Sequence, residues 1–271
     1  MCELFAMSSR LPAAVTFSLE TLARHAGGER PSCDGWGVAF YDGPDARVLR
    51  EPKAAYQNPW VDFIEKHGPQ SKLVLSHIRH ASTGAKCLAN THPFSRALGG
   101  CLHTFAHNGN VKEIFERRGF SIGRHQPIGD TDSERAFCAL LARLEPLWAG
   151  LAAPGIAARY DIVAAFAAEL KPLGPANFLY TDGEVLFAFG DRRQQKDGRF
   201  VAPGLHVLTR HCGGLPCESG IDGVSIESQE QTILLIASVP LTNEAWRPLG
   251  EGELLMVRHG EIIEHSLLEK C

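Results

Sequence analysis

The chain has 271 residues, 44% hydrophobic and 21% charged, with 27 basic against 31 acidic side chains for a net charge of -4. That composition buries a full core and excludes disordered and fibrous classes, and the mild acidity leaves no basic footprint for nucleic acid. No stretch approaches the run of about 18 apolar residues that a membrane-spanning helix needs.

Taken in chain order, Cys2 to Met7 is apolar and bounded by Ser8-Ser9, the pattern of a short buried strand. Phe17 to Ala26 reads as a helix closed by Gly27-Gly28. Gly35 to Tyr41 and Ala46 to Lys53 flank Asp42-Gly43-Pro44 as a hairpin. Lys72 to His80 is a further strand. His103 to His107 is another, ending in Asn108-Gly109, a dipeptide that tolerates positive φ. Thr131-Asp132-Ser133-Glu134 has the capping-box pattern, and Phe137, Leu140, Leu141 and Leu144 then recur with helical spacing. A second helix is expected over about Ile156 to Leu170, from the same periodicity. Strands follow at Asn177 to Thr181 and Val185 to Phe189 around Asp182-Gly183, and at Thr232 to Val239. The last two, Leu254 to Arg258 and Ile262 to Leu267, surround His259-Gly260. Strands paired as hairpins, with helices grouped in mid-sequence, predict an α+β fold with antiparallel sheets rather than a doubly wound parallel one. No repeat or long linker divides the chain, so a single domain over 1-271 is expected.

The search for chemistry proceeds by exclusion. The first residues lack the basic start and apolar stretch of a signal peptide, so the eight cysteines are expected as free thiols in a reducing cytoplasm. Neither CxxC nor HExxH occurs. His77 with His80, and His103 with His107, fall in strand-like segments, and no metal site is expected. A phosphate-binding loop is absent, Gly35-Trp36-Gly37 lacks the third glycine of a dinucleotide fingerprint, and there is no GxSxG elbow. No cofactor is implied. What remains is thiol chemistry, and Cys2 occupies an unusual place. Removal of Met1 would leave a cysteine with its own α-amine, whose ordinary pKa is about 7.7–8.0. Thiol and base would then sit on one residue, the logic of N-terminal nucleophiles. The competing reading is packing alone, since a cysteine that opens an apolar strand is a small hydrophobe.

Other segments favour catalysis. Met1-Cys2, Asp34-Gly35-Trp36-Gly37, Ser76-His77-Ile78-Arg79-His80-Ala81-Ser82-Thr83-Gly84, His107-Asn108-Gly109 and Thr131-Asp132-Ser133-Glu134 follow one another in an order that resembles class II glutamine amidotransferases. Asn90-Thr91-His92-Pro93-Phe94 and the stretch from Ala237-Ser238 to Trp246 are similar to the stand-alone bacterial type, with no fused synthase domain. Where synthase-linked members carry arginine-glycine ahead of the segment matched by Asp34, this chain has Pro31-Ser32-Cys33.

The resemblance implies a four-layer αββα sandwich of two antiparallel sheets, the N-terminal nucleophile hydrolase fold. It implies Cys2 as nucleophile, with Asn108 and Gly109 donating to the oxyanion. Arg79 would take the α-carboxylate of glutamine and Asp132 its α-ammonium, with His80 and Ser82 lining the pocket. An acid in the first turn of a capped helix is favoured by the helix dipole in any case, which is the bland reading of Asp132. Cys33, Cys87, Cys101 and Cys138 carry no motif and are expected as buried packing residues. The expected activity is release of ammonia and glutamate from glutamine through a γ-glutamyl thioester. Two alternatives stay open: hydrolysis of a larger γ-glutamyl amide, and a non-catalytic glutamine-binding subunit. A separate acceptor or synthase subunit as partner is also left open, whereas nucleic acid and membrane are not expected partners.

Overall fold

The computed structural model describes residues 2–17, 34–56, 58–80, 84–150, 152–195, 197–212, 224–227 and 230–268. Its strands in chain order are β1 (Glu3–Phe17), β2 (Gly35–Asp42), β3 (Asp45–Glu51), β4 (Ser71–Arg79), β5 (Phe94–Leu98), β6 (Cys101–Gly109), β7 (Ala176–Thr181) and β8 (Leu186–Gly190). They continue with β9 (Arg193–Gln194), β10 (Phe200–Val201), β11 (His206–Cys212), β12 (Val224–Glu227), β13 (Gln231–Ala237), β14 (Arg247–Pro248), β15 (Glu253–Arg258) and β16 (Glu261–Leu267). The helices that pack on them are α1 (Pro59–His67), α2 (Asp132–Leu144) and α3 (Ile156–Leu170).

One sheet runs β14-β11-β13-β1-β4-β2-β3, with β12 paired to the far half of β1, and the other runs β16-β15-β8-β7-β6-β5. All pairs are antiparallel. Strand alternation sorts the side chains into three cores. Leu4 and Ala6 of β1 meet Ala106, Leu179 and Ala188 between the sheets. Phe5 and Met7 point the other way, onto Val61 and Ile64 of α1. On the far side Phe105, Phe178, Tyr180 and Phe189 pack against Phe137, Leu141 and Phe166 of α2 and α3. Helix, sheet, sheet and helices thus form the expected four layers. Between the sheets aliphatic side chains dominate, leucines above all with alanines at 6, 39, 106 and 188, whereas rings are frequent under the helices α2 and α3.

The helix at Ile156–Leu170 and the hairpins around Gly43, Gly183 and Gly260 fall where expected. His259 and Gly260 both take positive φ (54° and 83°), as a two-residue hairpin turn matching the strand twist requires. Two expectations need correction. Ser8-Ser9 does not end β1; it introduces a register shift between Ser8 and Ala13, where Ser9 Oγ donates to Leu11 O (2.8 Å). Phe17 belongs to β1, and the rest of the expected Phe17 to Ala26 helix lies outside the described residues. Asn108-Gly109 ends β6 as expected, paired with Asn177 and Ala176 of β7. Unforeseen were the strands β5, β9, β10, β11, β12 and β14, and the helix α1, which Asn58 caps by accepting from Trp60 N (3.0 Å) with Pro59 in the first turn.

The capping box of α2 is half-built. Thr131 Oγ1 accepts from Glu134 N (3.2 Å), but the Glu134 carboxylate turns away to Gly129 N (2.7 Å), Ile128 N (3.1 Å) and Arg96 (2.6 Å). Cys138 is buried as expected, whereas Cys87 and Cys101 are half-buried and Cys33 lies outside the described residues. Trp36 fills the core beside Ile78. Among the described residues no helix is long and apolar enough to cross a membrane.

Candidate active site

The two sheets meet over Cys2. In the first sheet Glu3 lies opposite Ile78, which puts Cys2 beside the end of β4. There the thiol is bracketed by the His80 backbone, with N–H donating to Sγ at 3.2 Å and Sγ donating to the carbonyl at 3.4 Å. In the second sheet Asn108 reaches across, its Nδ2 donating to the Cys2 carbonyl at 2.6 Å. One N–H of that amide remains for another acceptor. Asn108 is fixed in turn from β7, where Asn177 Nδ2 donates to its carbonyl (3.2 Å) and to the carbonyl of Arg192 (2.8 Å). Gly109 is required by space: a Cβ there would stand 1.8 Å from Pro175 O.

Burial pushes the Cys2 thiol above its ordinary value, opposed by the His80 N–H and by the nearby Arg79 charge. At neutral pH the resting group is a thiol, and attack on a carbonyl needs a base.

The strand that carries Cys2 is clamped one residue later. Glu3 is fully buried and faces Arg193 of β9, Oε1 at 3.0 Å from Nη2 and Oε2 at 3.3 Å from Nη1. Arg193 Nη1 also donates to Ser238 O (2.6 Å), while the Ser238 backbone and hydroxyl pair with Leu4 (3.0 and 2.9 Å). The charge in an otherwise apolar opening strand was the available signal, since a buried carboxylate demands a partner. Which residue supplies it, 190 positions away, has no local trace.

A cavity of about 360 Å³ opens onto Cys2, with His80, Asn108 and Gly109 in its wall and Arg192, Gln194 and Phe200 further along it. Four of the seven expected site residues therefore share one cavity. Arg79 and Asp132 are buried outside its lining. Arg79 closes β4 and donates to Ala85 O (3.2 Å) and Gly84 O (3.5 Å). Asp132 fastens the start of α2, Oδ2 accepting from Val111 N (2.7 Å) and Oδ1 from Ser133 N (2.9 Å). Ser82 lies outside the described residues. The Asn90-to-Phe94 segment has a structural part to play: Asn90 Nδ2 donates to Ala85 O (3.1 Å) and to Asp130 Oδ1 (2.7 Å). It thereby ties the segment after Arg79 to the one before Asp132. No group of three or more potential metal ligands occurs among the described residues.

The description "Glutamine amidotransferases class-II" belongs to the family model that residues 1–270 match. The chain is 34% identical to YafJ of Escherichia coli (strain K12) over 96% of its length and 99% of that protein's. A relative from Haemophilus influenzae is 30% identical, with 97% and 86% covered. Among solved structures, a predicted glutamine amidotransferase from Pseudomonas aeruginosa PA01 aligns at 29% identity and a TM-score of 0.70, covering 97% of this chain and 99% of that one. The glutamine phosphoribosylpyrophosphate amidotransferase of B. subtilis has 14% identity and a TM-score of 0.61. It covers 98% of this chain but 49% of its own, a likeness of fold alone.

Proposed function

Because the chain belongs to the class II glutamine amidotransferases, we propose that it is a cysteine-dependent amidohydrolase that cleaves the carboxamide of glutamine at Cys2. The observation that carries this reading is the thiol held by the His80 backbone, with the Asn108 amide on the Cys2 carbonyl, at the mouth of a cavity large enough for an amino acid. With Met1 removed, the Cys2 α-amine takes the thiol proton, which burial otherwise holds in place. Sulfur bonds to the amide carbon, and the carbonyl oxygen becomes an oxyanion that accepts from Asn108 Nδ2 and the Gly109 N–H. The C–N bond then breaks, the proton passes from the amine to the leaving ammonia, and water hydrolyses the γ-glutamyl thioester to glutamate.

In this scheme Arg79 takes the α-carboxylate of glutamine and Asp132 its α-ammonium, with His80 and Ser82 as further substrate-binding residues. The unit is one domain over 1-271, and its thiol chemistry suits the reducing cytoplasm. Ammonia passed to a separate acceptor subunit would make it a transferase. Incubation with glutamine is expected to release glutamate and ammonia in equal amounts, and Cys2→Ala is expected to abolish both. Equal turnover by the variant would overturn the proposal, and glutamine binding without turnover by the processed wild type would favour a non-catalytic subunit. Intact mass of the active protein reports on Met1, whose retention would exclude the amine as base.

A further inference from the structure

Asn90 takes no part in the reaction proposed above, yet its side chain is committed to two segments that lead into the site. It closes a short 3₁₀ turn, Leu88–Asn90, whose backbone is tied down on both sides. Asn90 N and Thr91 Oγ1 both donate to Cys87 O (3.2 and 2.9 Å), and Arg50 Nη1 donates to Thr91 O (2.8 Å). From that base the amide, only 1% exposed, reaches in two directions. Its Nδ2 donates to Ala85 O (3.1 Å) and to Asp130 Oδ1 (2.7 Å), and its Oδ1 accepts from Asp130 N (3.0 Å). Both N–H groups are used, so the amide is a complete bridge.

Each end of the bridge leads to one of the two charges proposed to hold the α-carbon of glutamine. Ala85 O also accepts from Arg79 Nη1 (3.2 Å), so guanidinium and amide meet on one carbonyl. Asp130 stands two residues ahead of Asp132 at the entry to α2, where Asp132 Oδ2 accepts from Val111 N (2.7 Å). The chain leaves room for the amide on both sides. Gly84 has a φ of 79°, and a Cβ there would lie 3.2 Å from Asn90 Nδ2 and 3.4 Å from Arg79 Nη2. A Cβ at Gly129 would lie 2.2 Å from Asn90 Oδ1. A buried polar group whose hydrogen bonds are made holds its neighbours rigidly, and here the neighbours carry a cation and an anion on different elements.

We propose that Asn90 is a positioning residue that sets the spacing between Arg79 and Asp132, and through it the fit of a substrate bearing both an α-carboxylate and an α-ammonium. The inference rests on the glutamine reading of the site and deepens it, by naming the side chain that joins the two charges into one receptor.

The test uses two amides that each lack one of those groups: glutaramate, without the α-ammonium, and 4-aminobutanamide, without the α-carboxylate. The wild type is expected to favour glutamine over each in kcat/KM by about ten- to a hundredfold, the range of a charge-assisted hydrogen-bonded contact. Asn90→Asp keeps the size and the acceptor for Asp130 N, but it offers no donor to Ala85 O and sets a second carboxylate against Asp130. Both preferences should fall by about tenfold in that variant. Adding Asp130→Asn restores a donor–acceptor pair with the roles exchanged and should recover part of both. Asp130→Ala, at an exposed residue, cuts the same link from its other end and should lower both preferences as well. Because each readout is a ratio within one variant, a loss of folded protein scales all three substrates alike and does not imitate it. Preferences that stay at wild-type values in Asn90→Asp overturn the proposal, and so does a fall in one of them alone. A double variant that recovers neither, or a wild type that shows neither preference, overturns it too. Calorimetric binding of the three amides to Cys2→Ala, with and without Asn90→Asp, reads the same preferences without turnover. Glutamine turnover that survives Cys2→Ala therefore removes the nucleophile assignment, while the binding comparison still decides the part played by Asn90.

Discussion

The clamp between Glu3 and Arg193 tests how the nucleophile is held. Neither side chain is more than 7% exposed, and the pair is made of two oxygen–nitrogen contacts at 3.0 and 3.3 Å. Burial raises the Glu3 carboxyl pKa, and the attraction of Arg193, which opposes that, does not fully offset it. An acid whose pKa is higher in the folded than in the unfolded chain subtracts from stability at neutral pH, so the pair is not retained as a net stabiliser. Removing one partner is another matter. Glu3→Leu leaves Arg193 buried with only the Ser238 carbonyl, and Arg193→Met leaves an uncompensated carboxylate; each should cost about 3–5 kcal/mol. The double variant removes both charges and is expected to recover most of that loss, giving a coupling energy of roughly 3 kcal/mol or more in a urea-denaturation cycle. Activity should not recover with it. Cys2 is the next residue, and a displacement of ~1 Å at a reacting atom can cost on the order of a hundredfold in rate. Glutamine turnover by the double variant should thus stay at least tenfold down in kcat while its unfolding midpoint returns. Additive stability losses would refute the desolvation argument, and a stable double variant with wild-type kcat would refute the positioning role.

Two further outcomes follow from named contacts. Asn108→Ala removes the side-chain donor proposed for the oxyanion, together with the 2.6 Å hydrogen bond to the Cys2 carbonyl. A fall in kcat of about 10²–10³ with little change in KM is expected, as for a group used mainly in the transition state; a loss below tenfold would count against the role. Acid should loosen the seam between the sheets. His77 of β4 is fully buried, its ring 4.2 Å from that of His92, and burial holds its pKa at about 3 against an ordinary 6.5, with the His107 and Arg79 charges acting the same way. His92 is lowered too, again chiefly by burial. Below pH 6.5 the unfolded chain binds protons that the folded one refuses, so stability is intact above that pH and falls as pH drops towards 3. By pH 5 His77 alone accounts for roughly 2 kcal/mol. Urea midpoints between pH 7 and pH 5 measure this; a profile that is flat, or identical in His77→Leu, would show that burial at β4 does not control it.

What could be read from the sequence was what has a local period or a local cap. The α2 and α3 helices carry their spacing in adjacent turns, and the hairpins carry turn residues between alternating strands, so these were legible. Asn108-Gly109 ends its strand as expected, but turn chemistry and close approach select the same residue, so the reason for the glycine was not legible. Glycine stands at 109 because Pro175 O leaves no room for a Cβ, not because the chain reverses there. The α1 helix was missed although Asn58 and Pro59 announce its start, because Trp60 and Phe63 face outward (58% and 55% exposed) and blur the apolar stripe. In the site the same division holds. Cys2, His80, Asn108 and Gly109 lie within recognisable segments, whereas Arg192, Arg193 and Phe200 enter from a ribbon whose own sequence is polar and unremarkable. Their placement is set by sheet packing over separations that no window of sequence spans.

The site is built across a seam rather than on a loop, and this bears on how its chemistry is controlled. One sheet supplies the thiol and the His80 backbone, and the other supplies Asn108 and Gly109. Their spacing is fixed by the aliphatic core between the sheets and by strands buried on both sides. A scaffold of that kind holds donors ready for a developing charge without reorganising, which is the condition for electrostatic stabilisation to count. It also encloses the thiol in surroundings that disfavour the thiolate. In the proposed reaction the same burial that preorganises the oxyanion donors leaves the nucleophile protonated, so a base is needed. An α-amine at Cys2 meets that need in the proposed reaction, so the step that arms the site is removal of the residue in front of it.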